Sequence, residues 1–205
     1  MKTNPLDQGD WNYRPLLGWI QRLRLRAVAT LTGDRSVERI LEVGYGSGIV
    51  LPELARHCDH LYGVDVHPAG STVREKLTAY DTTARLAQVS AGALPFPDAT
   101  FDSVVVVSTL EFVPDVFSTV RELLRVIRPG GRVIAITPAQ SRLLDFGLRI
   151  LTSQQAEDTF AGQRNLVLPA FEEATDQVKR LEIHRLPPRV GRVLPLYRVV
   201  VAHRA

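Results

Sequence analysis

The sequence lacks several features that would assign it to a particular class of protein. Its 205 residues include one cysteine, Cys58, which excludes an internal disulfide and a zinc site of several cysteines. The histidines and carboxylates do not follow metal-ligand spacing either, so the sequence predicts no metal site. No apolar run reaches the roughly 18 residues that a membrane-spanning helix needs. The N-terminal residues lack the apolar core of a signal peptide. These absences favour a soluble, cytoplasmic protein.

Internal repeats and low-complexity tracts are also absent, and 45% hydrophobic and 23% charged residues are ordinary for a globular protein. The length fits one domain with appendages better than two domains. The net charge of +3 is unevenly distributed: residues 1–39 hold seven Lys/Arg and four Asp/Glu, and residues 179–205 hold seven and one. Such ends can attract nucleic acid, an anionic membrane or an acidic substrate, although a solvated basic surface is the simplest interpretation.

Short apolar runs alternate with segments of helical periodicity over the first two thirds of the chain. The predicted strands are 40–43, 61–64, 84–89, 103–108 and 132–137, and the predicted helices between them are 51–58, 71–80 and 116–127. The β-branched run at 103–108 does not alternate with polar residues, which is typical of a strand covered on both faces. This order predicts a doubly wound α/β fold with a mostly parallel sheet.

The last third of the chain departs from this alternation. Residues 141–151 are predicted to be an amphipathic helix, 152–165 a polar loop and 171–178 a helix. Two further strands are predicted at 178–186 and 194–202, joined by a hairpin connection that contains Pro187, Pro188 and Gly191. The seventh strand should therefore run antiparallel to the rest of the sheet.

The N-terminal segment, residues 1–35, is predicted to be a helical appendage to a main domain at 36–205. Its apolar stripe consists of Leu16, Leu17, Ile20, Leu23, Ala27 and Leu31. No acidic residue occurs between Trp11 and Gly33, and three arginines lie among the apolar residues at positions 22, 24 and 26. The simplest interpretation is a helix that packs on the main domain; the alternatives are a lid over a substrate site and a helix on a membrane surface.

A glycine loop directly after the first strand is the strongest functional signal. Residues 42–48 read Glu-Val-Gly-Tyr-Gly-Ser-Gly, between a strand and a helix, where glycines allow a ligand to approach the backbone closely. The spacing G-x-G-x-G differs from the dinucleotide fingerprint G-x-G-x-x-G, whose third glycine would fall on Ile49. Asp65 ends the second strand, 17 residues after Gly48, where a carboxylate can accept both ribose hydroxyls of an adenosine.

Five linked segments together resemble the class I methyltransferases that depend on S-adenosylmethionine (SAM), in the small-domain group called type 11. The similarity runs from Ile40 to Ile136. Its segments are Glu42 to Gly48, Gly63-Val64-Asp65, Leu94 to Asp102, Leu110-Glu111 and Arg125 to Gly131. The family fold is a seven-stranded sheet with an antiparallel last strand, in agreement with the strand pattern above.

The resemblance implies a set of cofactor contacts. Glu42 is expected to place the methionine amino group, Asp65 the ribose hydroxyls and Val66 one side of the adenine. Gly92, Ala93 and Leu94 are expected to line the adenine pocket, and Ser108 and Leu110 to border the methionine end. The glycine loop, Gly44, Tyr45, Gly46, Ser47 and Gly48, is expected to lie against the methionine and ribose.

The sequence also departs from the family at three positions. Ser90 stands where an aspartate usually accepts the adenine amino group, Phe112 stands where a histidine commonly follows Leu-Glu, and Tyr45 replaces a smaller residue, where it is expected to pack over the cofactor or shape the substrate side. A SAM-binding or membrane-surface protein without catalysis therefore stays open as an alternative. An NAD-dependent oxidoreductase is the other alternative, opposed by the glycine spacing.

Catalytic groups are harder to predict, because SAM already carries an activated methyl group and a base is needed only for a protonated acceptor. Glu111 is the best candidate by position. The substrate is expected to enter between the N-terminal segment and a cap at 138–178, with walls from Trp11, Tyr13, Trp19 and Phe146. A small molecule is expected, with a hydrophobic or lipid-like one and peripheral membrane contact as the narrower hypothesis. Nucleic acid is disfavoured, because no RNA-binding module or adenine-methylation motif is present.

Overall fold

The computed structural model describes residues 15–33, 36–139, 163–174, 176–188 and 195–205. The strands are β1 (Val37–Val43), β2 (Cys58–Asp65), β3 (Arg85–Gln88), β4 (Phe101–Val107), β5 (Ile127–Pro138), β6 (Val178–Leu186) and β7 (Tyr197–Arg204). The α-helices are α1 (Pro15–Thr32), α2 (Leu51–Leu54), α3 (Gly70–Thr78), α4 (Val116–Val126) and α5 (Val167–Glu173). Three short 3-10 helices occupy Ala55–His57, Leu110–Phe112 and Gln163–Asn165.

The seven strands form one sheet in the order β3-β2-β1-β4-β5-β7-β6. Strands β1 to β5 pair in parallel, whereas β7 is antiparallel to both of its neighbours, β5 and β6. The prediction of a doubly wound, mostly parallel, seven-stranded sheet with an antiparallel last strand is confirmed. The chain reverses its direction of winding between β1 and β4, and in such sheets ligands bind outside the carboxyl ends of the strands at this point.

The core lies on both faces of the sheet, as expected for strands covered on each side. Alternate residues of β4 separate the two layers: Val104 and Val106 pack with α4 and α5, and Val105 packs with the layer beneath α1, α2 and α3. All three valines are at most 1% exposed. Burial on both faces explains why this strand shows no polar alternation in the sequence.

Helix α1 packs on the main domain along its second half. Ala27 and Val28 are buried in the same layer as Ile40 and Ile136, and the Arg132 side chain donates a hydrogen bond to the carbonyl of Thr32 at the end of the helix. Arg132 pairs with Ser103 near the start of β4, whereas Ile136 pairs with Val107 at the carboxyl end of β4. The chain direction of α1 therefore runs from the carboxyl edge of the sheet to the amino edge.

Several element boundaries differ from those predicted. The predicted helix 51–58 is an α-helix only over Leu51–Leu54 and a 3-10 helix over Ala55–His57, and Cys58 is the first residue of β2, not a helical residue. The helix predicted at 171–178 occupies 167–173, because Val178 already belongs to β6. Residues 128–131 separate the predicted helix 116–127 from the predicted strand 132–137; they belong to β5, and the pairing of β5 with β4 shifts between Phe101 and Ser103. The predicted helix at 141–151, most of the 138–178 cap and the hairpin residue Gly191 lie outside the described residues.

Candidate cofactor and acceptor site

Three loops meet at the carboxyl edge of the sheet, after β1, β2 and β4. Strand β1 lies between the other two, so residues that follow Val43, Asp65 and Val107 are brought to one edge. Five of the seven large apolar side chains that are exposed among the described residues lie in these loops or in the elements next to this edge. They are Trp19, Ile49, Val66, Phe112 and Leu166. Exposed apolar surface concentrated at a switch point is typical of a ligand site.

The glycine loop has a backbone conformation that depends on its glycines. Gly44, Gly46 and Gly48 have φ angles of 78°, 51° and 79°, in the left-handed region that residues with a Cβ seldom adopt. A Cβ on Gly44 would lie 2.1 Å from Oγ1 of Thr109, and a Cβ on Gly48 would lie 2.6 Å from Val73. A Cβ on Gly46 would meet nothing within 4 Å. Two glycines are therefore required by packing, and the third faces open space.

Two carboxylates line the glycine loop. Asp65 accepts a hydrogen bond from the backbone N–H of Gly46 at 2.8 Å, which joins the end of β2 to the loop after β1. Glu42 is 2% exposed, and its Oε2 atom has no hydrogen-bond partner among the described residues. Burial raises the pKa of Glu42, and the negative charge of Asp65 raises it further. A buried carboxylate oxygen of this kind is satisfied by a ligand that donates a hydrogen bond.

Helix α1 contributes an arginine to the same edge. Arg24 donates from Nη1 to Oγ of Ser108 at 3.2 Å and from Nη2 to the side-chain oxygen of Gln21, and it lies 5.5 Å from the ring centre of Tyr197. Its Nε atom is buried and has no hydrogen-bond partner among the described residues. Ser108 follows β4 directly and has a φ of 52°. The guanidinium therefore faces the carboxyl end of β4.

Glu111 is a second buried carboxylate at this edge. It lies in the 3-10 helix after β4, is fully buried, and neither of its oxygens has a hydrogen-bond partner among the described residues. Burial raises its pKa to about 8, against the lowering effects of its own backbone N–H and of the positive charges of Arg24 and Arg164. A carboxyl group with this pKa exchanges a proton near neutral pH.

Comparison with known proteins agrees with this geometry. A family model described as a methyltransferase domain matches residues 41–135, from β1 into β5. Residues 41–135 are therefore similar to a methyltransferase domain, in agreement with the resemblance of the sequence motifs to class I SAM-dependent methyltransferases. This match favours the methyltransferase over the NAD-dependent alternative.

The relatives of this domain are named for different substrates. The chain is 39% identical over 101 residues to a phosphatidylethanolamine N-methyltransferase of Cereibacter sphaeroides, which covers 48% of this chain and 49% of the relative. It is 32% identical over 109 residues to a demethylmenaquinone methyltransferase of Bacillus licheniformis, and this match covers 52% of this chain and 47% of the relative. The chain thus spans about half the length of the curated relatives it matches. The structure of a SAM-dependent methyltransferase from Aquifex aeolicus shares the fold, with a TM-score of 0.67 and 19% identity. The superposition covers 88% of this chain and 89% of the other.

The residues at the carboxyl edge of the sheet fit SAM in three respects. The open space beside Gly46 leaves the loop backbone accessible, as a ligand that lies against the loop requires. The unpartnered Oε2 of Glu42 fits an ammonium group, which donates hydrogen bonds and neutralises a buried carboxylate. Asp65 keeps further acceptor capacity beyond the bond to Gly46, because a carboxylate accepts about four hydrogen bonds.

The structure divides the predicted cofactor residues into two groups. Val66 is 63% exposed, and Gly92 and Ala93 are also exposed, so their surfaces are open to a ligand. Tyr45, Leu94 and Leu110, also predicted to border the cofactor, have side chains that are buried in the core. The ring of Tyr45 packs against His67, and Leu110 packs beneath α4. Contacts from these three residues to the cofactor would have to come from the backbone.

The predicted acceptor side is only partly within the described residues. Trp11, Tyr13 and Phe146 lie outside them, whereas Trp19 is 42% exposed on α1. Of the three arginines near it, Arg22 and Arg26 are exposed and Arg24 is turned towards Ser108. The described residues contain no group of three or more metal-ligating side chains, and none of their helices is long and apolar enough to cross a membrane.

Sequence reasoning missed three residues that organise the site. Arg24 was one of several arginines on α1, and helical periodicity did not single it out. His67 has no local pattern that distinguishes it from a surface or core histidine, although it follows Asp65 by two residues. Arg125 begins the segment from Arg125 to Gly131 that resembles the family, and its side chain donates hydrogen bonds to the carbonyls of Leu94 and Phe96 in the loop after β3.

Proposed function

We propose that the protein is an enzyme that transfers the methyl group of SAM to a small-molecule acceptor and releases S-adenosylhomocysteine. The observation that carries the proposal is the arrangement of Asp65 and Glu42 around Gly46, where bonding capacity and open space coincide. Bound SAM supplies a methyl group on a positively charged sulfur, so the protein does not need to create an electrophile. Its work is to hold two molecules in line and to exclude water, which can contribute on the order of 7–11 kcal/mol.

Each carboxylate has a distinct part in this proposal. Asp65 accepts hydrogen bonds from the ribose hydroxyls and fixes the adenosine end at β2. Glu42 receives the methionine ammonium group, and the charge of that group holds the buried carboxylate in its ionised form despite its raised pKa. The cofactor therefore spans the carboxyl ends of β1 and β2, with Val66 and the exposed backbone of Gly92 and Ala93 beside the adenine.

Glu111 is the residue that meets the acceptor in our proposal. Its carboxyl group follows β4, is buried, and has a pKa of about 8, which suits removal of a proton from a hydroxyl or an ammonium group. Arg24 and Arg164 stabilise the ionised form. A Glu111→Gln variant should keep cofactor binding and lose methyl transfer by a factor of about 100 to 10,000.

The surroundings of the acceptor side favour an apolar substrate. Trp19, Phe112 and Leu166 are 42%, 45% and 38% exposed, on α1 and on the segments after β4 and before α5. Apolar surface on three elements around one edge suits a molecule with a hydrophobic body. Relatives named for phosphatidylethanolamine and demethylmenaquinone support a lipid-like or quinone-like acceptor as the first class to assay.

Calorimetric titration with S-adenosylhomocysteine tests the cofactor site. The wild type should show saturable binding, and Asp65→Ala should abolish it. The matched control is Asp59→Ala, which removes an exposed carboxylate from the other end of the same strand and should bind like the wild type. Absence of binding by the wild type at millimolar ligand would refute the proposed function. Equal binding by both variants would place the ribose contact elsewhere.

A contact between α1 and an anionic membrane surface is a second candidate function. Trp19, Arg22 and Arg26 are exposed at spacings of three and four residues, so they share one face of the helix. An amphipathic helix with basic residues and a tryptophan suits the interface of an anionic bilayer. The double variant Arg22→Gln/Arg26→Gln should lose sedimentation with phosphatidylglycerol vesicles. The control Lys179→Gln/Arg180→Gln removes the same charge from β6 and should sediment normally.

A further inference from the structure

His67 is buried at the cofactor edge, and both of its ring nitrogens are engaged. The residue is 4% exposed and follows Asp65 by two positions. Its Nδ1 atom accepts a hydrogen bond from the backbone N–H of Ala69 at 3.0 Å, and its Nε2 atom lies 2.9 Å from the carbonyl oxygen of Gly46. Because Nδ1 is an acceptor, the proton of the neutral ring lies on Nε2, which donates to Gly46.

The bond to Gly46 is one of three hydrogen bonds that link Gly46, Asp65 and His67. The N–H of Gly46 donates to Oδ2 of Asp65 at 2.8 Å, and the backbone N–H of His67 donates to Oδ1 of the same carboxylate at 3.2 Å. Gly46 is therefore held through its N–H by Asp65 and through its carbonyl by His67. The ring of Tyr45 packs edge-on against the imidazole at 5.0 Å between centroids and restrains its orientation.

We infer that His67 is a positioning residue that holds the glycine loop in the conformation that receives SAM. The peptide groups at Gly46 have no side chain to fix them, and the space beside its Cα is open. A bond at each end of this residue sets the direction in which its N–H and carbonyl groups point. The Asp65 carboxylate accepts hydrogen bonds from the backbone N–H groups of Gly46 and His67, so the position of Gly46 that the imidazole sets also affects the position of this carboxylate.

This inference rests on the proposed function, because it assigns His67 a role in cofactor affinity. A purely structural role would predict a different pattern, in which His67 supports the turn into α3 through Ala69 and loop order is independent of it. The two ring nitrogens make the alternatives separable, since Nδ1 serves Ala69 and Nε2 serves Gly46.

Two substitutions separate the two bonds. In His67→Asn the amide oxygen takes the position of Nδ1 and keeps an acceptor for Ala69, while the donor to Gly46 is lost. In His67→Gln the amide nitrogen reaches the position of Nε2 and keeps the donor to Gly46. The measurements are the dissociation constant of S-adenosylhomocysteine by calorimetry, the melting temperature, and amide hydrogen exchange across residues 44–48 in the free protein.

His67→Asn should raise the dissociation constant and speed exchange of the loop amides, each roughly 3- to 10-fold, the range of one hydrogen bond. His67→Gln should stay within about twofold of the wild type in both. Wild-type affinity and exchange in His67→Asn, or equal losses in the two variants that follow the melting temperature, would overturn the inference. Failure of the wild type to bind the ligand refutes the proposed function instead, and the exchange comparison in the free protein still decides whether His67 holds the loop.

Discussion

Arg24 and Ser108 are 84 residues apart in the chain and are joined by a hydrogen bond of 3.2 Å. This contact attaches the middle of α1 to the carboxyl end of β4, and the bond from Arg132 to Thr32 attaches the end of α1 near the amino edge of the sheet. The nine helical residues before Arg24 extend beyond Ser108 by roughly 13 Å at 1.5 Å per residue. The first half of α1 therefore forms one wall of the ligand edge.

The two anchors of α1 predict different consequences for binding. Arg24→Gln and Arg132→Gln each remove a guanidinium hydrogen bond, and each should cost about 1.5–3 kcal/mol in the free energy of unfolding. Only Arg24→Gln should also weaken binding of S-adenosylhomocysteine or acceptor, because only Arg24 lies at the carboxyl edge. Denaturant unfolding and calorimetry measure the two effects. Equal loss of affinity in both variants would mean that α1 acts only through overall stability.

The sequence predicts the fold well because its signals are local. The β-branched run of β4, the glycine loop and the acidic end of β2 each lie within a few residues, and their order along the chain sets the parallel sheet. The bounds of α2 were less predictable, because His57 and Cys58 have no local signal that separates a helix end from the first residue of a strand. Pairing of Val37 with Cys58 decides that boundary, and it is a long-range contact.

The sequence predicts the site residues that directly follow a strand. It predicts less well those whose position depends on how distant elements pack together. Asp65 and Gly46 lie together as the motif spacing indicated. Tyr45 was expected to pack over the cofactor or to shape the substrate side; its ring is buried against His67 and the start of α3, and these contacts have no local signal in the sequence. The contact of Arg24 with Ser108 depends on how α1 crosses the sheet, and no residue pattern encodes that crossing.

The glycines of the loop should respond differently to substitution by alanine. Gly44→Ala places a Cβ 2.1 Å from Thr109 Oγ1, so the variant should be strongly destabilised or fail to fold. Gly46→Ala meets nothing within 4 Å and should cost only about 1–2 kcal/mol for its positive φ. Thermal unfolding should therefore show a folded Gly46→Ala protein, and calorimetry should show that it has lost S-adenosylhomocysteine. Normal affinity in this variant would mean that no ligand occupies the space beside Gly46.

Arg125 should be the residue that holds the loop after β3. It donates to the carbonyls of Leu94 and Phe96 at 3.1 and 2.9 Å and to the carboxylates of Glu122 and Asp98 at 2.7 Å. Arg125→Lys cannot keep this fork of bonds and should lose about 1.5–3 kcal/mol of stability and weaken binding of the adenine end.

Arg121→Lys is the matched control for Arg125. Arg121 lies one turn earlier in α4 and forms an exposed ion pair with Glu173 at 3.1 Å. Exposed pairs of this kind contribute little, so the variant should stay within about 0.5 kcal/mol of the wild type in denaturant unfolding. A loss as large as that of Arg125→Lys would show that replacement of arginine by lysine lowers the stability of α4 at either position, and that the bonds to the loop are not the cause.

Glu111 should make the protein less stable as pH rises. Its pKa in the folded protein is about 8, above the ordinary value of 4.5, so folding favours the protonated form. The wild type and Glu111→Gln should therefore have equal stability below about pH 4.5. Above that pH the free energy of unfolding of the wild type should drop below that of the variant by up to 1.4 kcal/mol per pH unit until about pH 8, on the order of 5 kcal/mol in total.

Glu122→Gln is the control for Glu111→Gln, with the opposite expected dependence on pH. The side-chain bond from Arg125 lowers the pKa of Glu122, so that variant should be less stable than the wild type above pH 4.5 and should approach it as pH falls. Denaturant unfolding from pH 4 to 9 measures both, and a pH-independent difference for Glu111→Gln would show that Glu111 keeps an ordinary pKa through a bound donor.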